Sequence, residues 1–242
     1  DVTRPTLNSF ALDMNLGVLM LSFSETVNVS SLHPTAYTLL NGISYNTTTR
    51  YTLTGGVPSP AIAAGDIVTL MLTKFDFDNV KAMVGLPNNS TYISITENAV
   101  ADMSGNQVVP INSSSPLLIQ TFKNDVISPT IVSFCLNMTN STFLILTFSE
   151  TVNASSLVPT SMTLLSSYVL AAHSVTLTGG TVSGQSNTVV SVRLTQSDTN
   201  SITRLRYLAT SINNTFLMVI PHAVADNFGN YIQMVTIQAS CY

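Results

Sequence analysis

Along this chain, apolar and β-branched residues fall in short runs in which every second position tends to be apolar, and clusters of Gly, Asn, Pro and Ser separate the runs. Alternation with a period of two places one face of each run against a core and the other toward water, which is the pattern of strands. In the first half the runs predict strands over residues 6–12, 18–24, 36–40, 50–54, 67–73, 91–96, 107–111 and 117–122. Asn41-Gly42 predicts a tight hairpin turn, since both residues tolerate positive φ. A short helix is expected over residues 79–86 with Asp76 or Asp78 as its cap, and a counterpart over 201–208 behind Asp198. Seven or so strands in about 120 residues, with turn signals between them, predict an all-β sandwich.

The pattern is written twice. Leu21-Ser-Phe-Ser-Glu-Thr-Val-Asn-Val-Ser-Ser-Leu32 returns as Leu146-Thr-Phe-Ser-Glu-Thr-Val-Asn-Ala-Ser-Ser-Leu157, with ten identities in twelve. Thr52-Leu-Thr-Gly-Gly56 returns as Thr176-Leu-Thr-Gly-Gly180. Ala99-Val-Ala-Asp102 with Gly105-Asn106 returns as Ala223-Val-Ala-Asp226 with Gly229-Asn230. The period is about 124 residues, which sets two domains at 1–124 and 125–242.

In their order along each copy, Phe-Ser-Glu-Thr-Val, Ser-Ser-Leu, Leu-Thr-Gly-Gly and Ala-Val-Ala-Asp-x-x-Gly-Asn resemble the bacterial Ig-like repeats of S-layer and large surface proteins. The resemblance implies two tandem immunoglobulin-like β-sandwiches, each with one short helix. It also implies an extracellular structural role of the kind played by fibrous glycoproteins of algal and protist surface filaments. Antibody hallmarks are missing: the chain has no Trp, and neither copy has the usual inter-sheet cysteine pair. Cys135 in the first strand of the second copy and Cys241 in its last lie on strands that run side by side in many such sandwiches. They read as a disulfide, the alternative being two buried free thiols.

Composition sharpens the picture. Only 8% of residues are charged and 45% are hydrophobic, with a net charge of -4, against about 25% charged in an average soluble domain. Eight Lys and Arg with no basic cluster exclude a nucleic-acid partner. No apolar run approaches the roughly 20 residues of a spanning helix. The chain opens at Asp1 without Met and is expected to be a processed product or a stretch of a longer protein.

A surface this poor in charge calls for another solvating layer, and glycans supply one. Asn-x-Ser/Thr sequons stand at Asn28, Asn46, Asn88, Asn89, Asn112, Asn137, Asn140, Asn153 and Asn213. Asn28 and Asn153 are equivalent across the repeat, as are Asn89 and Asn213, and all four fall in expected loops or loop edges. Val57-Pro58-Ser59-Pro60-Ala61 resembles contexts in which algal wall proteins carry sugar on hydroxyproline, so Pro58 and Pro60 are added as candidates.

No catalytic motif is present: the chain lacks a Gly-x-Ser-x-Gly elbow, a His-Glu-x-x-His helix, a Cys-x-x-Cys pair and a phosphate loop. His33, His173 and His222 do not recur between copies and read as loop or rim residues. Glu25 and Glu150, with Asp102 and Asp226, read as groups that hydrogen-bond loop amides and fix a sheet corner, the alternatives being paired acids or a Ca2+ site. Asp76-Phe-Asp78-Asn79 imitates the start of a calcium loop, but Lys81 stands where that loop needs Gly and Pro87 where it needs Glu. The expectation is no enzyme and no cofactor beyond covalent glycans. The expected partner is the chain itself in a homopolymeric filament built head-to-tail, a terminal segment completing or extending a sheet of the next subunit. The rival is a cell-surface adhesin or carbohydrate- or protein-binding module, for which Tyr37, Tyr45, Tyr51, Phe75 and Phe77 supply aromatic candidates.

Overall fold

The computed structural model describes residues 1–43, 49–60, 63–83, 85–139, 142–169, 172–184 and 187–241. The chain divides into two compact units, Asp1–Asp125 and Val126–Tyr242. Unit 1 runs β1 (Leu7–Asp13), β2 (Val18–Asn28), β3 (Tyr37–Leu40), β4 (Arg50–Thr52), β5 (Gly56–Pro58), β6 (Ala64–Leu72), α1 (Lys74–Ala82), β7 (Tyr92–Ile95), β8 (Ala101–Asp102), β9 (Leu117–Leu118) and β10 (Thr121–Lys123). Unit 2 runs β11 (Ile131–Asn137), β12 (Phe143–Val152), β13 (Met162–Leu165), β14 (Ser174–Thr176), β15 (Thr181–Ser183), β16 (Asn187–Arg193), α2 (Gln196–Thr203), β17 (Phe216–Val219) and β18 (Val235–Gln238).

In unit 1 one sheet has the order β10-β1-β2-β6-β5, with β8 beside β2, and the other β4-β3-β7-β9. Unit 2 repeats this as β11-β12-β16-β15 and β14-β13-β17-β18. These are the A-B-E-D and C′-C-F-G arrangements of the immunoglobulin fold. Alternation along the strands fills the space between the sheets. Phe10, Leu12, Leu19, Leu21, Val68 and Leu70 from one sheet meet Tyr37, Leu39, Ile93 and Ile95 from the other, all buried. In unit 2, Phe134, Leu136, Leu144, Leu146, Val190 and Val192 pack with Met162, Leu164, Leu217 and Val219 in one cluster. Each sandwich is all-β apart from one α-helix and short 3-10 turns.

The structure corrects four local expectations. The helices start five residues earlier than expected, because Thr73 and Thr195 supply the capping hydroxyl, each accepting the amide of the residue three further on, Asp76 and Asp198, at 3.0 Å. Asn41-Gly42 makes no two-residue turn; Asn41 is bonded instead to Thr49, whose amide its side chain accepts at 2.8 Å. Residues 107–111 form no strand: Val108, Val109 and Ile111 donate their amides separately to Val100, Pro5 and Ile95, while Pro110 has none to give. The expected strand over 117–122 is split, for Leu117–Leu118 pairs with β7 whereas Thr121–Lys123 runs parallel to β1. The three-residue strand β5 was not anticipated.

Leu-Thr-Gly-Gly owes its second glycine to close packing. Gly56 and Gly180 have φ of 149° and 146°. A Cβ on Gly56 would stand 2.9 Å from the Met71 carbonyl oxygen, and on Gly180 2.8 Å from that of Arg193. Gly56→Ala and Gly180→Ala are expected to destabilise their own units by about 1–3 kcal/mol. Chemical denaturation should show both costing more than Gly105→Ala, where φ is 89° but no atom lies within 4 Å.

Candidate functional site

The chemistry-bearing residues that the fold brings together are mostly carboxylates, and each is held by the backbone around it. Asp76, in the first turn of α1, is wholly buried. It accepts the Thr54 and Gly55 amides at 3.0 Å, and the Thr54 and Tyr51 hydroxyls at 2.8 Å. The helix is thereby tied to the Leu-Thr-Gly-Gly loop. Burial alone pushes the Asp76 carboxyl up, yet these hydrogen bonds outweigh it and hold the carboxyl below its ordinary value. The same burial and the Asp76 charge push the Tyr51 hydroxyl up. Asp198 repeats the arrangement with the Thr178 amide and hydroxyl. The imitation of a calcium loop at Asp76 is therefore a helix-to-loop tether.

Asp102 accepts the amides of Ser104 and Asn106 and the Asn106 side chain, at 2.7 to 2.8 Å. Asp226 binds Phe228 and Asn230 in the same way, all at 2.8 Å. These two aspartates fix the sheet corner. Asp102 too is held below its ordinary carboxyl value, burial again being outweighed by the Asn106 and loop-amide bonds. Glu25 does not share their role: its carboxylate brings an oxygen within 4.8 Å of oxygens of Asp1 and Asp102. Sequence reasoning missed Asp1, which nothing in the local pattern marks. Three carboxylates are half or less of the six to eight oxygens that Ca2+ takes. In unit 2 Glu150 and Asp226 are both buried. Asp125, also buried, is bonded to the buried Lys81, whose ammonium lies 4.3 Å above the Phe77 ring centroid.

Cys135 and Cys241 are joined in a disulfide, on outward-facing positions of the sheet that carries β11. The histidines lie apart from these carboxylates: His33 Nδ1 is 2.7 Å from the Ser31 carbonyl, His173 stacks on Tyr207 and His222 leans on Tyr231. The aromatic candidates do not gather on one loop surface. Tyr37 is in the core, Tyr51 binds Asp76, Phe77 packs on Gly17 and Phe75 is exposed, while Tyr45 lies outside the described residues.

Asn89, Asn112, Asn137 and Asn213 are exposed. Asn28 and Asn153 are half-buried and cap 3-10 turns through Oδ1, each accepting a serine amide at 3.1 Å. Asn88 donates its Nδ2 to the Gly85 carbonyl at 2.9 Å, which engages the nitrogen a glycan would need. The hydroxyl residues of the Asn89 and Asn213 sequons, Thr91 and Thr215, are fully buried. Pro58 ends β5 and is half-buried, and Pro60 is exposed. Asn46 and Asn140 lie outside the described residues.

A cleft of about 550 Å³ opens in unit 2 beside the start of α2 and is lined chiefly by four threonines, Gln196 and Arg193, with Met138 and Leu194. No helix among the described residues is long and apolar enough to cross a membrane.

No protein-family model matches the chain, and no curated protein is detectably similar in sequence. Solved structures match the chain only at low TM-scores. A thermostable esterase is 17% identical over 65% of this chain and 46% of its own, with a TM-score of 0.32. The S-layer protein rSbsC is 10% identical over 99% and 41%, with a TM-score of 0.32. A Dscam structure is 6% identical over 100% and 51%, with a TM-score of 0.23. The chain thus spans about half the length of the structures it matches or less. At these scores the likenesses carry nothing about activity.

Two measurements follow from the site. Asp76→Asn should destabilise unit 1 by about 2–3 kcal/mol at neutral pH, since it removes the charge from a buried acceptor of two amides and two hydroxyls. A carboxyl depressed in the folded state stabilises above its unfolded pKa of about 4, and that stability is lost as pH falls through the folded value. Denaturation of wild type and variant should therefore converge as pH drops below about 4. Replacing Cys135 and Cys241 together by Ala, which opens a loop of sequence separation 106, should cost unit 2 about 4–5 kcal/mol in the chain-entropy model and leave the unit 1 transition in place.

Proposed function

We propose that this chain is a structural module of an extracellular glycosylated filament or coat, resembling the tandem Ig-like repeats of S-layer-type and protist surface glycoproteins. The observation that carries the reading is an apolar strip on the outer face of one sheet, complete in unit 1, kept in part in unit 2 and unused by either core. In unit 1 it comprises Val18 and Met20 on β2, Ile67 and Met71 on β6 and Val57 on β5, of which Met20, Ile67, Met71 and Val57 are 42–60% exposed. In unit 2 the equivalent positions of Val18, Met20 and Ile67 hold Phe143, Ile145 and Val189, while those of Met71 and Val57 hold Arg193 and Thr181. A recurring outward apolar strip on a protein with so few charges is a surface suited to contact with further copies.

Two other features support the same reading. The exposed sequons lie on turns and strand ends away from both cores. The disulfide suits an oxidising compartment. The module is assigned no resident cofactor and no chemistry of its own. The second reading, a carbohydrate-binding surface module, is favoured by the cleft in unit 2.

Electron microscopy of the native material, with intact-mass analysis before and after glycan removal, tests the proposal. Filaments or sheets with a repeat of one or two sandwiches and a large mass loss are expected; dispersed particles at 25.9 kDa would sink it. In the same assay Met20→Lys with Ile67→Lys should prevent assembly while leaving unfolding free energy within about 0.5 kcal/mol per substitution.

A further inference from the structure

The two units are copies, so each is a control for the other, and they differ most tellingly at the cleft beside α2. The equivalence is fixed by shared hydrogen bonds. Leu72 donates its amide to the Gly17 carbonyl and Leu194 donates to Thr142, both at 2.9 Å. Met71 pairs with Val18 and Val57 as Arg193 pairs with Phe143 and Thr181. The matching caps Thr73 and Thr195 place Phe77 against Thr199.

In unit 1 this place carries apolar side chains. The Phe77 ring lies over Gly17, so close that a Cβ there would be 3.3 Å from it, and Met71 and Val57 stand as a cross-strand pair on β6 and β5. In unit 2 every one of these positions has turned polar: Gly17 has become Thr142, Val57 Thr181, Met71 Arg193 and Phe77 Thr199. Loss of the ring leaves the cleft of about 550 Å³, within the range of small-ligand sites.

Thr142 is only 6% exposed and lines the cleft, and no buried side-chain polar atom among the described residues lacks a partner; the hydroxyl it brings to the cleft wall can both donate to and accept from a ligand. Arg193 is exposed and forms no ion pair among the described residues, in a chain with only eight Lys and Arg.

We propose that this cleft binds an anionic saccharide unit, with Arg193 on its carboxylate or sulfate and Thr142, Thr181 and Gln196 on its hydroxyls. The lining has one guanidinium, several groups that both donate and accept, and among its described residues no aromatic ring and no second cation. It therefore suits a hydroxyl-rich ligand of one negative charge better than a nucleotide or a polyphosphate. The proposal does not rest on self-assembly, and it holds equally for a filament subunit or an adhesin.

The test is a calorimetric and NMR titration of the full chain with an oligogalacturonate, a sulfated galactan oligosaccharide and a neutral glucan of equal length. At least one acidic probe is expected to bind, with resonances of Arg193 and Thr199 shifting, and the neutral one at least tenfold more weakly. Arg193→Met, which restores the unit 1 residue, should weaken acidic binding about tenfold, the worth of one charged hydrogen-bonded contact. Thr142→Gly with Thr199→Phe rebuilds the apolar plug and should abolish binding with the unfolding midpoint kept. If that pair does not fold, Arg193→Met and Thr181→Val still decide. Failure of both acidic probes, or equal binding by the neutral glucan or by Arg193→Met, would overturn the proposal. Repeating the titration on chain made with and without glycosylation separates two sources of the sugar. A free acidic polysaccharide binds both forms, whereas the chain's own glycan seated in the cleft blocks the probe in the glycosylated form.

Discussion

In each unit the last strand must leave one sheet and reach the other, and the sandwich holds together through that crossing. In unit 1 Leu117–Leu118 belongs to the β4-β3-β7-β9 sheet; Ile119 and Gln120 then donate to Thr91 and Phe10 at 2.9 Å, and Thr121–Lys123 finishes beside β1. The step is sealed by Lys123 against Asp13 at 2.9 Å. In unit 2 Ala239 and Ser240 donate to Thr215 and Phe134 at 2.9 Å, and the next residue is Cys241, bonded to Cys135. Cys135 occupies the place of Ala11, whose partner is Thr121. One copy closes its two sheets with a parallel ladder and an ion pair, the other with a covalent bond at the same register.

The two copies thus keep their framework and vary what is attached to it. The buried aspartates at Asp76 and Asp198, and at Asp102 and Asp226, sit in near-identical hydrogen-bond cages, because each satisfies amides that the fold would otherwise strand away from water. The positions over the helix start carry no such duty. There unit 1 lays a half-buried ring over Gly17 and unit 2 lines a cleft with threonines, while the alternating core positions of the strands stay apolar in both.

The strands that alternate cleanly were legible in the chain because their two faces see different solvents, and the duplication confirmed each reading against its copy. Less was legible where backbone amides are satisfied one at a time, as between Gln107 and Ile111, since no periodicity marks a segment bonded to three different neighbours. The helices were misplaced because Phe75 and Phe77 read as neither face of a helix, while the informative signal, Thr73 followed three residues on by Asp76, was passed over. Of the site, the cysteines and sequons could be named from residue type alone. The outer strip needed the register between β2, β5 and β6, and the cleft needed the knowledge that Thr199 stands where Phe77 does.

The burial of Thr91 and Thr215 carries a consequence for biosynthesis. A transferase that recognises Asn-x-Thr must reach the threonine as well as the asparagine, and in the folded sandwich neither hydroxyl is within reach: that of Thr91 accepts the Asn88 amide at 2.9 Å and that of Thr215 donates to the Ser211 carbonyl at 2.6 Å. Sugar can be installed at Asn89 and Asn213 only while the segment is still open. On the proposed glycoprotein reading, occupancy at these two positions would be a race between the modifying enzyme and the docking of β7 or β17, and would record how fast each unit folded.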